Sequence, residues 1–276
     1  MHLMTSVKTL RTILNSEKVN ANPSHDKVFE DGRHLKSLTA DDALKNLDTE
    51  SFLRIKIRRS HVWDDVKMKM KRCSENDLEK LVRVQFVGEP AVNKGGPKRE
   101  FFVLLHKHMN ECSSMFAGEK NRKCFINNVA LKQHDYFIYG KVCAMAIVQG
   151  ASSTSHFASA VVDYVLHGKI AEVVLSVFDV PNMKVRNKLE EIFATTDPEK
   201  FKQLVLFYCS VSFKAGYTKP IVTIEDKDLL IHYICLHYTI LQSLPHLEQF
   251  IDGLKTFGVL ELVRRNSKKS RRLFQD

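Results

Sequence analysis

The sequence predicts an α-rich α+β fold, with a minor β-sheet early in the chain and helices through the rest. Three observations carry this. Apolar and polar residues alternate over 53–58 and again over 82–87, and period-two alternation marks a half-buried strand. The second stretch leads into Gly95-Gly96-Pro97-Lys98-Arg99-Glu100-Phe101-Phe102, where two glycines permit a tight turn and proline presets the first turn of a helix. Beyond that corner, apolar residues recur with helical spacing in one segment after another.

At the start of the chain, Leu3, Val7, Leu10 and Leu14 share one helical face, with Lys8, Arg11 and Lys18 beside them. That pattern fits a mitochondrial presequence and equally an ordinary helix. Residues 15–50 are polar and carry the turn signals Asn22-Pro23 and Asp31-Gly32, so 1–52 reads as an extension or linker, partly disordered. After the strand at 53–58, Ser60 is placed to cap a helix over 61–72. Asp64 and Asp65 fall early in it, and Lys67, Lys69, Lys71 and Arg72 late, in line with the helix dipole. Candidate helices follow at 98–110, 133–149, 156–167, 184–193, 199–208, 226–241 and 246–257, with Gly150 and Gly168 as stops. Gly140 and Ala144 lie four apart, which lets another helix come close. In the corner, helix-start electrostatics and a local ion pair account for Arg99 and Glu100 better than a catalytic pair does.

Much familiar chemistry is missing. The Gly-Lys pairs at 140–141 and 168–169 are followed by Val142 and Ile170 rather than a hydroxyl residue, so no phosphate-binding loop forms. His106 and His108 point to nearly opposite sides of a helix, and His232 and His237 are ill-spaced as ligands. No metal or cofactor is expected. The six cysteines form no Cys-x-x-Cys pair, and Cys143, Cys209 and Cys235 lie in apolar runs, the pattern of free thiols in a reducing cytoplasm or nucleus. The longest apolar runs, such as 142–148, are too short to cross a bilayer. Net charge is +10, densest at Arg264, Arg265, Lys268, Lys269, Arg271 and Arg272. Residues 263–276 read as a solvated basic tail. A basic nuclear adaptor that binds nucleic acid or protein is the alternative function.

Several pieces, taken in order, resemble the N-terminal lobe of HECT-type ubiquitin ligases over 53–262. They are Ile57-Arg58-Arg59-Ser60-His61, Val84-Gln85-Phe86-Val87-Gly88, the Gly95-Gly96-Pro97 corner with Arg99 and Glu100, and Tyr-Phe-Ile-Tyr-Gly-Lys-Val-Cys-Ala-Met-Ala-Ile-Val-Gln-Gly at 136–150. Val161-Val162-Asp163-Tyr164, Ile221-Val222-Thr223 with Glu225-Asp226-Lys227, and Phe250-Ile251-Asp252-Gly253-Leu254 complete the set. The resemblance implies a helical lobe whose small sub-lobe, about 189–232, docks a ubiquitin-conjugating enzyme. Ubiquitin and a protein substrate are the further implied partners. Leu189, Ile192, Phe193, Phe207, Tyr208 and Leu230 are the implied groove residues. The same six also fit the sub-lobe's own core, and the sequence leaves both roles open. In the family, a cysteine in a second lobe accepts ubiquitin as a thioester, in a setting of Leu-Pro, a histidine and Thr-Cys-Phe. None of the six cysteines has that setting; Cys124 precedes Phe125 but follows Arg122 and Lys123. No catalytic residue is therefore expected here, and the 276 residues are expected to be inactive in transfer on their own.

Overall fold

A computed structural model describes residues 48–90, 96–151, 156–219 and 222–275. The helical face at 3–14, most of the linker, Gly95 and Ile221 lie outside the described residues.

Strands β1 (Asp48–Ile57) and β2 (Lys80–Phe86) pair in parallel, with Leu53 opposite Val82 and Ile57 opposite Phe86. The first strand thus starts at 48 rather than 53. Leu53, Ile55, Ile57, Val82, Val84 and Phe86 are buried while Arg54 and Lys56 are exposed, as the alternation requires. Parallel strands need a crossover. A 3-10 turn at Arg59–His61, α1 (Val62–Arg72) and α2 (Glu75–Leu78) supply it. Ser60 does not cap α1, because the 3-10 turn places its hydroxyl against the neighbouring His61 Nδ1 at 2.7 Å. Asp65 instead reaches back from α1 and accepts the Arg58 backbone N–H at 2.8 Å. On β2, the Gln149 side chain accepts from the Val82 N–H at 3.0 Å and donates to the Lys80 carbonyl at 3.4 Å. It thereby mimics the peptide group of a neighbouring strand and blocks part of an edge that would otherwise invite pairing.

The corner launches α3 (Gly96–Glu111), which buries Phe101, Phe102, Leu105 and Met109. The ion pair expected between Arg99 and Glu100 is replaced by one across the fold. Arg59 donates to Glu100 at 2.6 Å and to Glu89 at 2.6 and 3.1 Å, with its guanidinium 4.0 Å from the Phe86 ring. The Arg59 guanidinium holds the Glu89 carboxyl below its usual range. One side chain therefore ties together the ends of β1 and β2 and the start of α3.

The remaining elements are β3 (Phe116–Ala117) and β4 (Cys124–Phe125), which pair antiparallel, and a run of helices. These are α4 (Asn128–Lys132), α5 (Asp135–Val148), α6 (Ser159–His167), α7 (Met183–Ala194), α8 (Pro198–Phe207), α9 (Cys209–Lys214), α10 (Lys227–Thr239), α11 (Leu244–Leu254), α12 (Val259–Arg265) and α13 (Ser267–Ser270). Gly168 ends α6 in the left-handed conformation, at φ 69°. The architecture is α+β and predominantly helical. None of the described helices is long and apolar enough to cross a membrane.

The chain divides into two compact units. One holds the residues up to 108 with 137–154 and 250–273; the other holds 109–136, 155–249 and 274–276. In the first unit, α5 is apolar nearly all round and buries Tyr139, Val142, Cys143, Ala144 and Met145 completely. His106 is a core residue beside the Tyr139 hydroxyl (3.3 Å). The basic segment at 264–272 is not a solvated tail. It forms the end of α12, α13 and a final 3-10 turn, with Ser270, Leu273 and Phe274 buried, because these three alternate with the charges at spacings that a helical backbone can turn inward.

The close approach foreseen at Gly140 occurs against Gly253 of α11. A Cβ on Gly140 would lie 2.2 Å from the Phe250 carbonyl oxygen, and one on Gly253 would lie 2.2 Å from that of Phe137. Backbone cannot step aside as a flexible side chain does. Gly140→Ala and Gly253→Ala are each expected to cost about 1–3 kcal/mol, as overpacked substitutions do, despite alanine's better helix propensity. Urea denaturation checks this; an unchanged midpoint would contradict the contact.

Candidate docking site

The second unit contains the sub-lobe singled out in the sequence. Side chains take up free N–H groups at the starts of α7 and α8 and in the 3-10 turn ahead of α10. Asn182 accepts from the Lys184 and Val185 N–H groups at 3.0 and 3.2 Å to start α7. Asp197 accepts from Lys200 N–H at 2.8 Å to start α8, where Pro198 occupies the first position. Thr223 and Asp226 form a capping box ahead of α10, and Lys219 pairs with Asp226 at 2.6 Å.

Once oriented, the helices bury one stripe each. Val185, Leu189 and Ile192 line the inner face of α7, Phe201 and Val205 that of α8, and Leu230, Ile231, Ile234, Cys235 and Tyr238 that of α10. Of the two roles that the sequence leaves open for the six implied groove residues, burial gives three of them the core one. Leu189, Ile192 and Leu230 are completely or almost completely buried and hold the sub-lobe together; none is available to a partner.

The other three reach the surface, in different ways. Phe207 is 79 % exposed at the end of α8. Tyr208 is half-buried: its hydroxyl donates to Glu191 Oε2 at 2.8 Å, its ring lies 4.7 Å from Lys188 Nζ, and the Phe207 ring meets it edge-on at 5.0 Å. The hydrogen bond to Glu191 raises the Tyr208 pKa. Phe193, also exposed, lines a cleft of ≈ 410 Å³ formed with α10 and residues 175–178.

Sequence reasoning missed Leu206 and Phe213, which are also exposed and bracket Phe207 in the chain. The signal was present. Leu204, Val205, Leu206, Phe207 and Tyr208 form an unbroken apolar run, and a helix of this kind buries only one side of such a run. Leu206, Phe207 and Phe213, with half-buried Tyr208, present apolar and aromatic side chains at the surface within 206–213, the composition that marks interaction sites.

The cysteines fall into two groups. Cys124, Cys143 and Cys235 are buried free thiols, and burial raises the pKa of each, that of Cys235 to about 12. Cys124 Sγ faces the Asp179 carbonyl oxygen at 3.4 Å, so the superficial Cys-Phe motif is a packing feature. Cys112 and Cys209 are exposed and Cys73 is intermediate. Among the described residues, no group of three or more His, Cys, Asp or Glu side chains is placed to hold a metal ion.

Residues 102–264 match the HECT-domain (ubiquitin-transferase) family. Among curated proteins, the chain is 30% identical over 179 residues to the G2/M phase-specific E3 ubiquitin-protein ligase of Gallus gallus, covering 65% of this chain and 24% of that protein. Identity to the Homo sapiens protein of the same name is 29% over 170 residues, covering 61% and 24%. A probable E3 ubiquitin-protein ligase, HUL4, of Eremothecium gossypii is 28% identical over 264 residues, covering 83% and 30%. The chain thus spans only about a quarter of the length of its vertebrate relatives.

Alkylation of the native protein with iodoacetamide, followed by peptide mass mapping, is expected to label Cys112 and Cys209 rapidly. Cys124, Cys143 and Cys235 are expected to react only after denaturation, since the thiolate is the reactive form. Fast native labelling of Cys124 would contradict its placement.

Proposed function

The chain belongs to the HECT-domain (ubiquitin-transferase) family, and on that premise we propose that its α7–α10 sub-lobe docks a ubiquitin-conjugating enzyme through the apolar surface over 206–213. The observation that carries this reading is the exposure of Leu206, Phe207 and Phe213 on a sub-lobe whose core is already complete without them. A filled core, and for Leu206 and Phe207 a capped α8, hold these side chains in place before any partner arrives, which limits the ordering cost of binding. A few aromatic anchors supply most of the energy of such an interface. The resulting contact is small, which suits a carrier that must leave once its ubiquitin is delivered.

The conjugating enzyme brings ubiquitin as a thioester. Transfer to a ligase cysteine breaks that thioester and forms a new one, and the thiol proton passes to the departing sulfur. The 276 residues supply the docking half of this exchange and do not accept ubiquitin themselves. In support, Cys124, Cys143 and Cys235 are buried with raised pKa values. Cys112 and Cys209 are exposed, but neither has the Leu-Pro and Thr-Cys-Phe surroundings implied by the family resemblance.

Two measurements test the proposal. In calorimetric titration against a panel of ubiquitin-conjugating enzymes, Phe207→Ala combined with Phe213→Ala is expected to weaken binding by at least about tenfold. The melting temperature should hold, because both rings are outside the core; unchanged affinity would remove the assignment. Incubation with ubiquitin-charged conjugating enzyme is expected to give no thiol-sensitive ubiquitin adduct on this chain. An adduct on any of the six cysteines would refute the inactivity.

A further inference from the structure

The cleft lined in part by Phe193 shares no residue with the docking surface. We propose that this cleft binds a short peptide segment in which a bulky apolar side chain stands next to an arginine or lysine. The site is independent of the conjugating-enzyme reading.

Its shape follows from two helical stripes. Asp228, Ile231, His232 and Cys235 recur at helical spacing along one side of α10, and Glu190 and Phe193 lie one turn apart on α7. Residues 175–178 form the third wall. The floor is apolar, since Ile231 and Cys235 are buried. The rim is not: Glu190, Asp228 and His232 are exposed. At ≈ 410 Å³ the cleft is half-open and large enough for one bulky side chain with part of its neighbour.

Charge selects the occupant. The chain carries a net charge of +10, yet no lysine or arginine lines this cleft, while two carboxylates do. The basic groups nearby are committed elsewhere. Lys227 Nζ donates to the backbone carbonyls of Phe193 and Thr195 at 3.2 and 3.0 Å. Arg186 donates to the Phe178 carbonyl at 3.3 Å and pairs closely with Glu119; its Nε lies 4.0 Å from Glu190, the outer limit of an ion pair. Phe178 and Phe193 already attract cations, with Arg122 Cζ 5.5 Å from one ring and Lys227 Nζ 6.0 Å from the other. An incoming guanidinium would meet carboxylates and aromatic rings together, with an apolar floor beneath for the adjoining side chain. An acidic segment would meet two carboxylates and no lining lysine or arginine.

The test uses the full 276-residue chain and two blocked peptides, Gly-Phe-Arg-Gly and Gly-Phe-Glu-Gly, titrated by NMR chemical shift up to millimolar concentration. The arginine peptide is expected to saturate and to shift signals of α7 and α10, with a preference over the glutamate peptide of at least about tenfold. Glu190→Gln with Asp228→Asn, both exposed and without effect on the core, should reduce that preference to about twofold or less. Phe207→Ala with Phe213→Ala should leave peptide binding unchanged, which separates failure of this proposal from failure of the docking surface. Equal affinity for the two peptides, absence of saturable binding, or indifference to the charge-removing pair would each overturn the proposal.

Discussion

The filled core of the sub-lobe is the constraint on which its surface depends. Phe201, Leu189 and Leu230 are completely buried among the side chains of α7, α8 and α10, and interiors packed to this degree accept no further large group. The chain nonetheless supplies more apolar residues than the core can take. Leu206, Phe207 and Phe213 are the surplus, left outside by helical geometry rather than by any weakness of the hydrophobic effect. Their exposure costs solubility with no folding benefit, which is why a partner that covers them is the economical explanation.

The first unit obeys a different constraint, the contact of two backbones at Gly140 and Gly253. Glycine is demanded there by proximity and not by turn geometry, so the apolar α5 can lie against α11 at a distance that any Cβ would forbid. Arg59 does for the sheet what the glycines do for the helices. Its fork holds the carboxylates of Glu89 and Glu100 while its plane covers Phe86. Surface ion pairs taken singly contribute little, but this one joins three elements, and two carboxylates on one guanidinium fix its direction.

The sequence made local features plain and left long-range ones hidden. Both strands could be read from alternation, and most helices from spacing, because those signals reside in neighbouring residues. The role of Gly140 was legible for the same reason, although its partner Gly253 was not. Glu100 was assigned to the adjacent Arg99, whereas its partner Arg59 stands 41 residues away; nothing in a linear reading distinguishes the two. In the sub-lobe, the inward stripe of Val185, Leu189 and Ile192 has regular helical spacing, yet resemblance to a family drew Leu189, Ile192 and Leu230 toward a groove. Around 204–208 the apolar run has no polar residue to fix its phase, so which members face outward depends on where α8 ends. The basic run at 264–272 misled in the opposite sense: its charges stand out in the sequence, while Ser270, Leu273 and Phe274, which hold it down, do not.

The central claim is that an aromatic surface at 206–213, and not the buried residues behind it, receives a ubiquitin-conjugating enzyme. Hydrogen–deuterium exchange of the chain with and without a saturating conjugating enzyme reads this directly. The account predicts new protection concentrated in the backbone amides of 204–214, with β1 and β2 unchanged. Protection centred on the sheet, or none at 204–214 when binding is saturated, would contradict it.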